Sequence, residues 1–86
     1  MFRRHSLALK LSPSPTAFGE AAWLEWLGNE QATLRVSDLS GRVLEEKNLA
    51  PNTSSATLQA SWPPGVYQLE IRTVSGKRAV RPWVIR

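Results

Sequence analysis

The stretch Leu58-Gln-Ala-Ser-Trp-Pro-Pro-Gly-Val-Tyr-Gln-Leu-Glu-Ile-Arg72 joins a stiff corner to a strongly alternating segment. Pro63 and Pro64 fix φ and donate no backbone N–H, and Gly65 can adopt a positive φ that other residues avoid. A sharp turn is expected there. Beyond it, Tyr67, Leu69 and Ile71 share one face while Gln68, Glu70 and Arg72 share the other. That period of two describes an antiparallel strand with one face buried and one in water.

The same alternation recurs outward from this stretch. Upstream, Ala56, Leu58 and Ala60 alternate with Thr57, Gln59 and Ser61, and Ala32, Leu34 and Val36 alternate with Thr33, Arg35 and Ser37. Leu7, Leu9 and Leu11 make a first strand, broken by Ser12-Pro-Ser-Pro15. Glu20 to Leu27 is mixed on both faces; its tryptophans and flanking turns favour strand over a short helix. Gly28-Asn-Glu30, Asp38-Leu-Ser-Gly41, Asn48 to Ser54 and Val74-Ser-Gly-Lys77 read as turns or loops, with strands at Arg42 to Asn48 and Arg78 to Ile85. About seven short strands at this spacing predict an all-β fold, a single antiparallel sandwich of immunoglobulin-like type. The expected organisation is a flexible segment over 1–6 and one sandwich over 7–86.

Size and composition narrow the function. Eighty-six residues make one domain, which buries only roughly 60–65% of its unfolded surface, so a deep catalytic cleft is not expected. The chain has no cysteine, and so neither a disulfide framework nor a thiolate metal site. No run approaches the ~20 apolar residues that span a bilayer, and Met1-Phe-Arg-Arg-His-Ser-Leu-Ala-Leu-Lys10 is a poor secretory signal peptide. The net charge of +4 is uneven. Residues 1–19 carry Arg3, Arg4 and Lys10 and no acid, residues 71–86 carry five cations and no acid, and all 7 acids lie between. Antiparallel pairing of the first and last strands would merge the basic ends into one patch; a solvated, solubilising face is the plainer reading.

Catalytic constellations are missing. The one histidine, His5, lies beside Arg3 and Arg4 near the N-terminus. Glu45 and Glu46 are adjacent on a strand and point to opposite faces, and Ser75-Gly76-Lys77 has no helix behind it to form a phosphate loop. No enzyme activity and no cofactor are expected. The 4 tryptophans invite a stacking role, above all Trp62 and Trp83, although large aromatics in so small a domain are normally core. A sugar-binding face would keep at least two of them in water. Arg81 and Trp83 alone combine a cation and an aromatic on one strand face, so nucleic acid is not an expected partner.

Read in order, the segments resemble the C-terminal sorting domain (type A) of cargo proteins of the type IX secretion system of Bacteroidota. Leu9-Lys-Leu-Ser-Pro13-Ser-Pro15 stands where that family has a strand and a Pro-Asn-Pro-like turn, with Ser14 in place of the asparagine. Asp38-Leu-Ser-Gly41-Arg-Val43 matches an Asp-x-x-Gly-Arg-Val turn, and Pro63-Pro64-Gly65-Val-Tyr67 a Pro-x-Gly-x-Tyr element. Gly76-Lys77-Arg78 and Val84-Ile85 match a basic turn and a β-branched end. The resemblance covers roughly 7–86; Pro82, which interrupts the last strand, departs from it and implies an edge strand. It implies a non-catalytic signal for export and cell-surface attachment of a cargo, carried on a longer precursor through the periplasm to the cell surface or medium. Its implied partners are the outer-membrane translocon and shuttle proteins and a sortase-like surface peptidase. Its implied contacts are Lys77, Arg78, Val84, Ile85 and Arg86. An open sheet edge would also allow weak homodimerisation. The alternative is a sandwich module that binds protein or carbohydrate.

Overall fold

A computed structural model of the chain describes residues 9–26 and 30–86. The expectations for the segment 1–6, for His5, Leu7 and Leu27, and for a turn at 28–29 lie outside the described residues. Among those described there is no helix, and seven strands follow in order: β1 Leu9–Ser12, β2 Ala21–Trp26, β3 Ala32–Asp38, β4 Val43–Leu49, β5 Ser55–Gln59, β6 Gly65–Thr73 and β7 Arg78–Ile85. They form a three-stranded sheet, β1-β2-β5, and a four-stranded sheet, β4-β3-β6-β7, and every strand pair is antiparallel. The architecture is an immunoglobulin-like β-sandwich whose fourth strand sits beside the third.

Every strand contributes to one shared core, β4 only through Leu49 and the others through residues on alternate positions. Leu9 and Leu11, Ala22, Leu24 and Trp26, and Leu58 come from the smaller sheet. Ala32, Leu34 and Val36, then Tyr67, Leu69 and Ile71, then Ala79, Trp83 and Ile85 come from the larger one. β2, ambiguous as a sequence, is settled by this packing: Ala22, Leu24 and Trp26 point inward while Trp23 is exposed. The opposite set, Ala21, Trp23 and Glu25, would have carried a carboxylate into the core, where an unpaired charge is costly.

Two expectations are corrected. The first and last strands do not pair antiparallel; they lie at the margins of different sheets. After β1 the chain crosses at Pro13-Ser-Pro15 and runs parallel to the end of β7. Thr16 N–H donates to the Val84 carbonyl at 2.9 Å, Arg86 N–H to the Thr16 carbonyl at 2.9 Å, and Phe18 N–H to the Arg86 carbonyl at 2.7 Å. The proline-rich break has left the smaller sheet, so the chain there is available to cover the other sheet's edge. Higher up, the Arg81 guanidinium reaches back to the Leu9 carbonyl at 3.1 Å. The second correction concerns Gly65, which is the first residue of β6 and has no positive φ. The reversal is made before it, over Ser61 to Pro64, so the corner does not draw on glycine's freedom.

β7 is an edge strand, as Pro82 implied, with β6 as its one sheet partner. β4 closes the other edge of that sheet, with a bulge where Leu44 is extra between Val43 and Glu45. Its Lys47 reaches over to the Thr57 carbonyl of β5 at 3.3 Å, tying the margins of the two sheets together.

Candidate recognition surface

Register brings most of the quoted motifs to one end of the sandwich. Asp38 pairs with Tyr67 and Tyr67 with Trp83, while Gly65 pairs with Ile85 and Ile85 with Thr16. Pro13–Pro15, the Asp38–Val43 turn, the Pro63–Tyr67 corner and Val84–Arg86 therefore share one pole. The basic turn Gly76-Lys77-Arg78 does not join them. It caps the opposite pole, where Val74 N–H donates to the Gln31 carbonyl at 3.1 Å.

At the shared pole, the side chains of the motifs organise backbone. The Tyr67 hydroxyl donates to the Pro63 carbonyl, four residues back, and the ring lies in the core at 8% exposure. This is a tyrosine corner, which fastens the crossing between sheets to the strand that follows. Trp62 leans on it from above, 6.2 Å from the Tyr67 ring and edge-on to Trp83 at 6.1 Å. The Trp83 indole N–H donates to Thr16 Oγ1 at 2.8 Å, and that hydroxyl donates to the Pro13 carbonyl at 2.8 Å. The buried ring thus has its polar edge satisfied by the chain that crosses from β1.

Asp38 does the equivalent for its turn. Its Oδ1 accepts from Ser40 N–H at 3.0 Å, Ser40 Oγ at 2.6 Å and Arg42 N–H at 3.0 Å, and Arg42 Nε lies 3.2 Å from Oδ2. The Ser40 hydroxyl first, then the Arg42 amide, hold this carboxyl below its ordinary range. Gly41 takes φ 91°, and the Gly41 amide donates to the Asp38 carbonyl at 3.0 Å. The turn is a three-residue hairpin with glycine in the left-handed position.

The opposite hairpin is built to the same plan. Thr73-Val-Ser-Gly-Lys77 repeats Asp38-Leu-Ser-Gly-Arg42 in chemistry. Gly76 has φ 96° and its amide donates to the Thr73 carbonyl at 3.0 Å, while Thr73 Oγ1 accepts from Lys77 N–H at 3.0 Å. In both, the residue after the acceptor is apolar and held out in water: Leu39 and Val74 are each 72% exposed. In both, a cation follows the glycine. Comparing the two five-residue turns would have exposed this pairing in the sequence.

The implied contacts have different fates. Lys77 and Arg78 are exposed, with Lys77 Nζ 3.6 Å from Glu30 and Arg78 Nε 2.6 Å from Glu70. Val84 is 36% exposed and Arg86 is exposed, though the backbone of both is engaged by Thr16 and Phe18. Ile85 is core, at 2%, and its side chain is not available to a partner. Pro64 and Pro13 are exposed and Pro15 is half-buried.

The outward face of β6 and β7 sets Arg78 and Val84 beside residues that the motifs did not mark, Gln68, Glu70, Arg72 and Val80. Across these strands Arg72 faces Arg78, Glu70 faces Val80, Gln68 faces Pro82, and Val66 faces Val84. Glu70 holds the cationic end together: Arg72 Nη2 at 3.3 Å and Arg78 Nε at 2.6 Å meet one oxygen, and Arg35 Nη1 lies 3.9 Å from the other. The valines stand in water, Val66 at 44% and Val84 at 36% exposure facing each other at the far end and Val80 at 40% opposite Glu70. Among the tryptophans only Trp23 is exposed, so no pair of them forms a stacking face.

No protein-family model and no curated protein matches the chain. Solved structures do. CopC from Methylosinus trichosporium OB3b aligns with a TM-score of 0.59 at 20% identity over 93% of this chain and 91% of its own. CHIR-AB1 aligns with a TM-score of 0.59 at 16% identity over 94% and 98%. A mutant β-glucosidase from Listeria innocua aligns with a TM-score of 0.55 at 16% identity, where the match covers 94% of this chain but 16% of the enzyme. At these identities the likeness is one of fold: the chain is a β-sandwich of the immunoglobulin-like kind.

Proposed function

We propose that this chain is a non-catalytic sorting signal of the type IX secretion system of Bacteroidota, recognised as a folded domain by the outer-membrane translocon and its shuttle proteins. On this reading it directs a cargo through the periplasm to the cell surface or the medium, where a sortase-like peptidase removes the signal. One observation supports it above the others. Segments that resemble the family's motifs, far apart in the chain, converge at one pole: Pro13–Pro15, Asp38–Val43 and Pro63–Tyr67 each organise a turn there, and Val84–Arg86 pairs with the chain leaving the first of them. A signal read as a surface gains from such rigidity, because binding then spends less on ordering the domain. The basic Lys77-Arg78 hairpin, at the far pole, offers a second exposed feature.

The test is a transport assay. The full chain is fused behind a signal peptide and a fluorescent reporter, in a bacterium with a working type IX system. Reporter at the surface or in the medium, and only when the domain is attached, is the expected result. Reporter retained in the periplasm with the domain folded would overturn the reading. The comparison cannot be a chain lacking Arg78–Arg86, since that deletion removes Trp83 and Ile85 from the core.

A further inference from the structure

The outward face of the larger sheet is divided. On β3 and β4 it is polar, with Thr33, Arg35, Ser37, Glu46 and Asn48, except for Val43 opposite Ser37. On β6 it stays polar at Gln68, Glu70 and Arg72 and is apolar at Val66, and along β7 it follows a pattern of its own. Strand alternation places Arg78, Val80, Pro82, Val84 and Arg86 on one side, an apolar stripe with an arginine at each end. Val66 of β6 widens the stripe opposite Val84. Fold requirements do not account for it. None of these side chains enters the core, and threonine would serve the strands equally well at each valine. Contiguous exposed apolar groups rimmed by charge, on a domain this small, mark a contact surface. The edge of β7 is not the point of attachment. Its end is covered by Thr16–Phe18, Arg81 reaches over to β1, and Pro82 has no N–H, so a partner meets the face and not the ladder.

We propose that this face is where the domain is recognised, and that its partner presents an apolar segment with an acidic group at each end. Arg86 lies eight strand rises beyond Arg78, which sets the acidic groups about 27 Å apart. Charge complementarity fixes the occupant's ends and the valines fix its middle. Arg78 keeps Nε on Glu70 while its side chain is 58% exposed, so the guanidinium is already held in place with donors to spare. The proposal rests on the sorting reading and names the surface that reading uses.

The reporter assay with surface variants tests it. Val80→Thr combined with Val84→Thr keeps β-branching on outward positions, and Val66→Thr repeats the test from β6. Arg78→Gln combined with Arg86→Gln removes both ends. Each purified variant is first checked for the wild-type melting transition and amide spectrum. The expected result is that each combined variant stays folded and exports at least tenfold less reporter, while Thr33→Ser on the polar half exports as wild type does. Folded valine variants that export normally would overturn the face and leave the sorting reading intact. Loss with the arginine variants alone would also overturn it, in favour of a purely charged surface such as anionic lipid. If the wild-type domain fails to export, the sorting reading falls and this assignment falls with it.

Discussion

Tyr67 and Asp38 show how single side chains here act on backbone. The Tyr67 hydroxyl is the one side-chain partner shown for the Pro63 carbonyl, and both sit where the chain changes sheets. Tyr67→Phe keeps the ring in the core and deletes only that bond. It should cost about 1–2 kcal/mol, read as a lower urea midpoint with an unchanged slope. Gly65, two residues earlier, should behave differently. A Cβ there would lie 3.8 Å from the Tyr67 ring, an ordinary contact, and its φ is not positive. Gly65→Ala should therefore shift stability by no more than about 0.5 kcal/mol. The sequence offered Gly65 as the residue free to take a positive φ at the corner. Nothing in the residue string says that a tyrosine hydroxyl has taken over the work of closing the corner.

Asp38 carries a pH signature. Its folded-state pKa is depressed below the ordinary 3.8, chiefly by the Ser40 hydroxyl and the Arg42 amide. The stabilisation is thus fully present above that ordinary value and is lost as pH falls through the folded one. Asp38→Asn should melt below wild type at neutral pH, and the gap should close on acidification, once the wild-type carboxyl is itself protonated. A gap that persists unchanged at the lowest pH would mean that the carboxylate's charge contributes nothing to the turn.

At the scale of elements, the two hairpins make the clearest comparison. Both use an oxygen acceptor at the first position and a left-handed glycine at the fourth, Gly41 with φ 91° and Gly76 with φ 96°. A Cβ would meet nothing within 4 Å at either glycine, so substitution is opposed by backbone conformation alone. Gly41→Ala and Gly76→Ala should each cost about 1–2 kcal/mol, by equilibrium denaturation, and the two costs should agree closely. A large inequality would contradict the shared plan. Alternation made β3, β5 and β6 legible in the residue string, since their core residues fall on every second position, with Val66 of β6 the one apolar residue off that period. It failed for β2, where tryptophans stand on both faces and only packing selects Trp26 for the core. It was also silent on Thr16–Phe18. Three residues beside a strand end have no period to detect, and their pairing depends on where Pro13–Pro15 release the chain.

For the whole molecule, the arrangement separates two kinds of residue that the sequence presents together. Tyr67, Thr16, Trp83 and Ile85 are spent on holding the sheets, and the last of these was among the expected contacts. Val66, Val80 and Val84 contribute nothing inside the domain; Val84 was among the contacts the resemblance implied, Val66 lay unremarked within the Pro63–Tyr67 element, and Val80 belonged to no motif. That they share one face became visible once register showed which sides of β6 and β7 meet water. Fold class was readable from strand spacing and turn chemistry. Of the candidate surface only Arg78, Val84 and Arg86 were named as contacts from the sequence; their joining with Val66, Val80 and Pro82 was not legible, because the face is assembled across β6 and β7 and interrupted in sequence by the hairpin between them.

The central claim is that particular surface chemistry, carried on a common sandwich, constitutes the signal. The most direct test exchanges the domain for one of the same fold. CopC from Methylosinus trichosporium OB3b, with its TM-score of 0.59 and 20% identity, supplies the fold with a different surface. Behind the same signal peptide and reporter, this chain should carry the reporter to the cell surface or medium, while the folded CopC fusion stays in the periplasm. Equal export of both, or retention of both, would contradict the account.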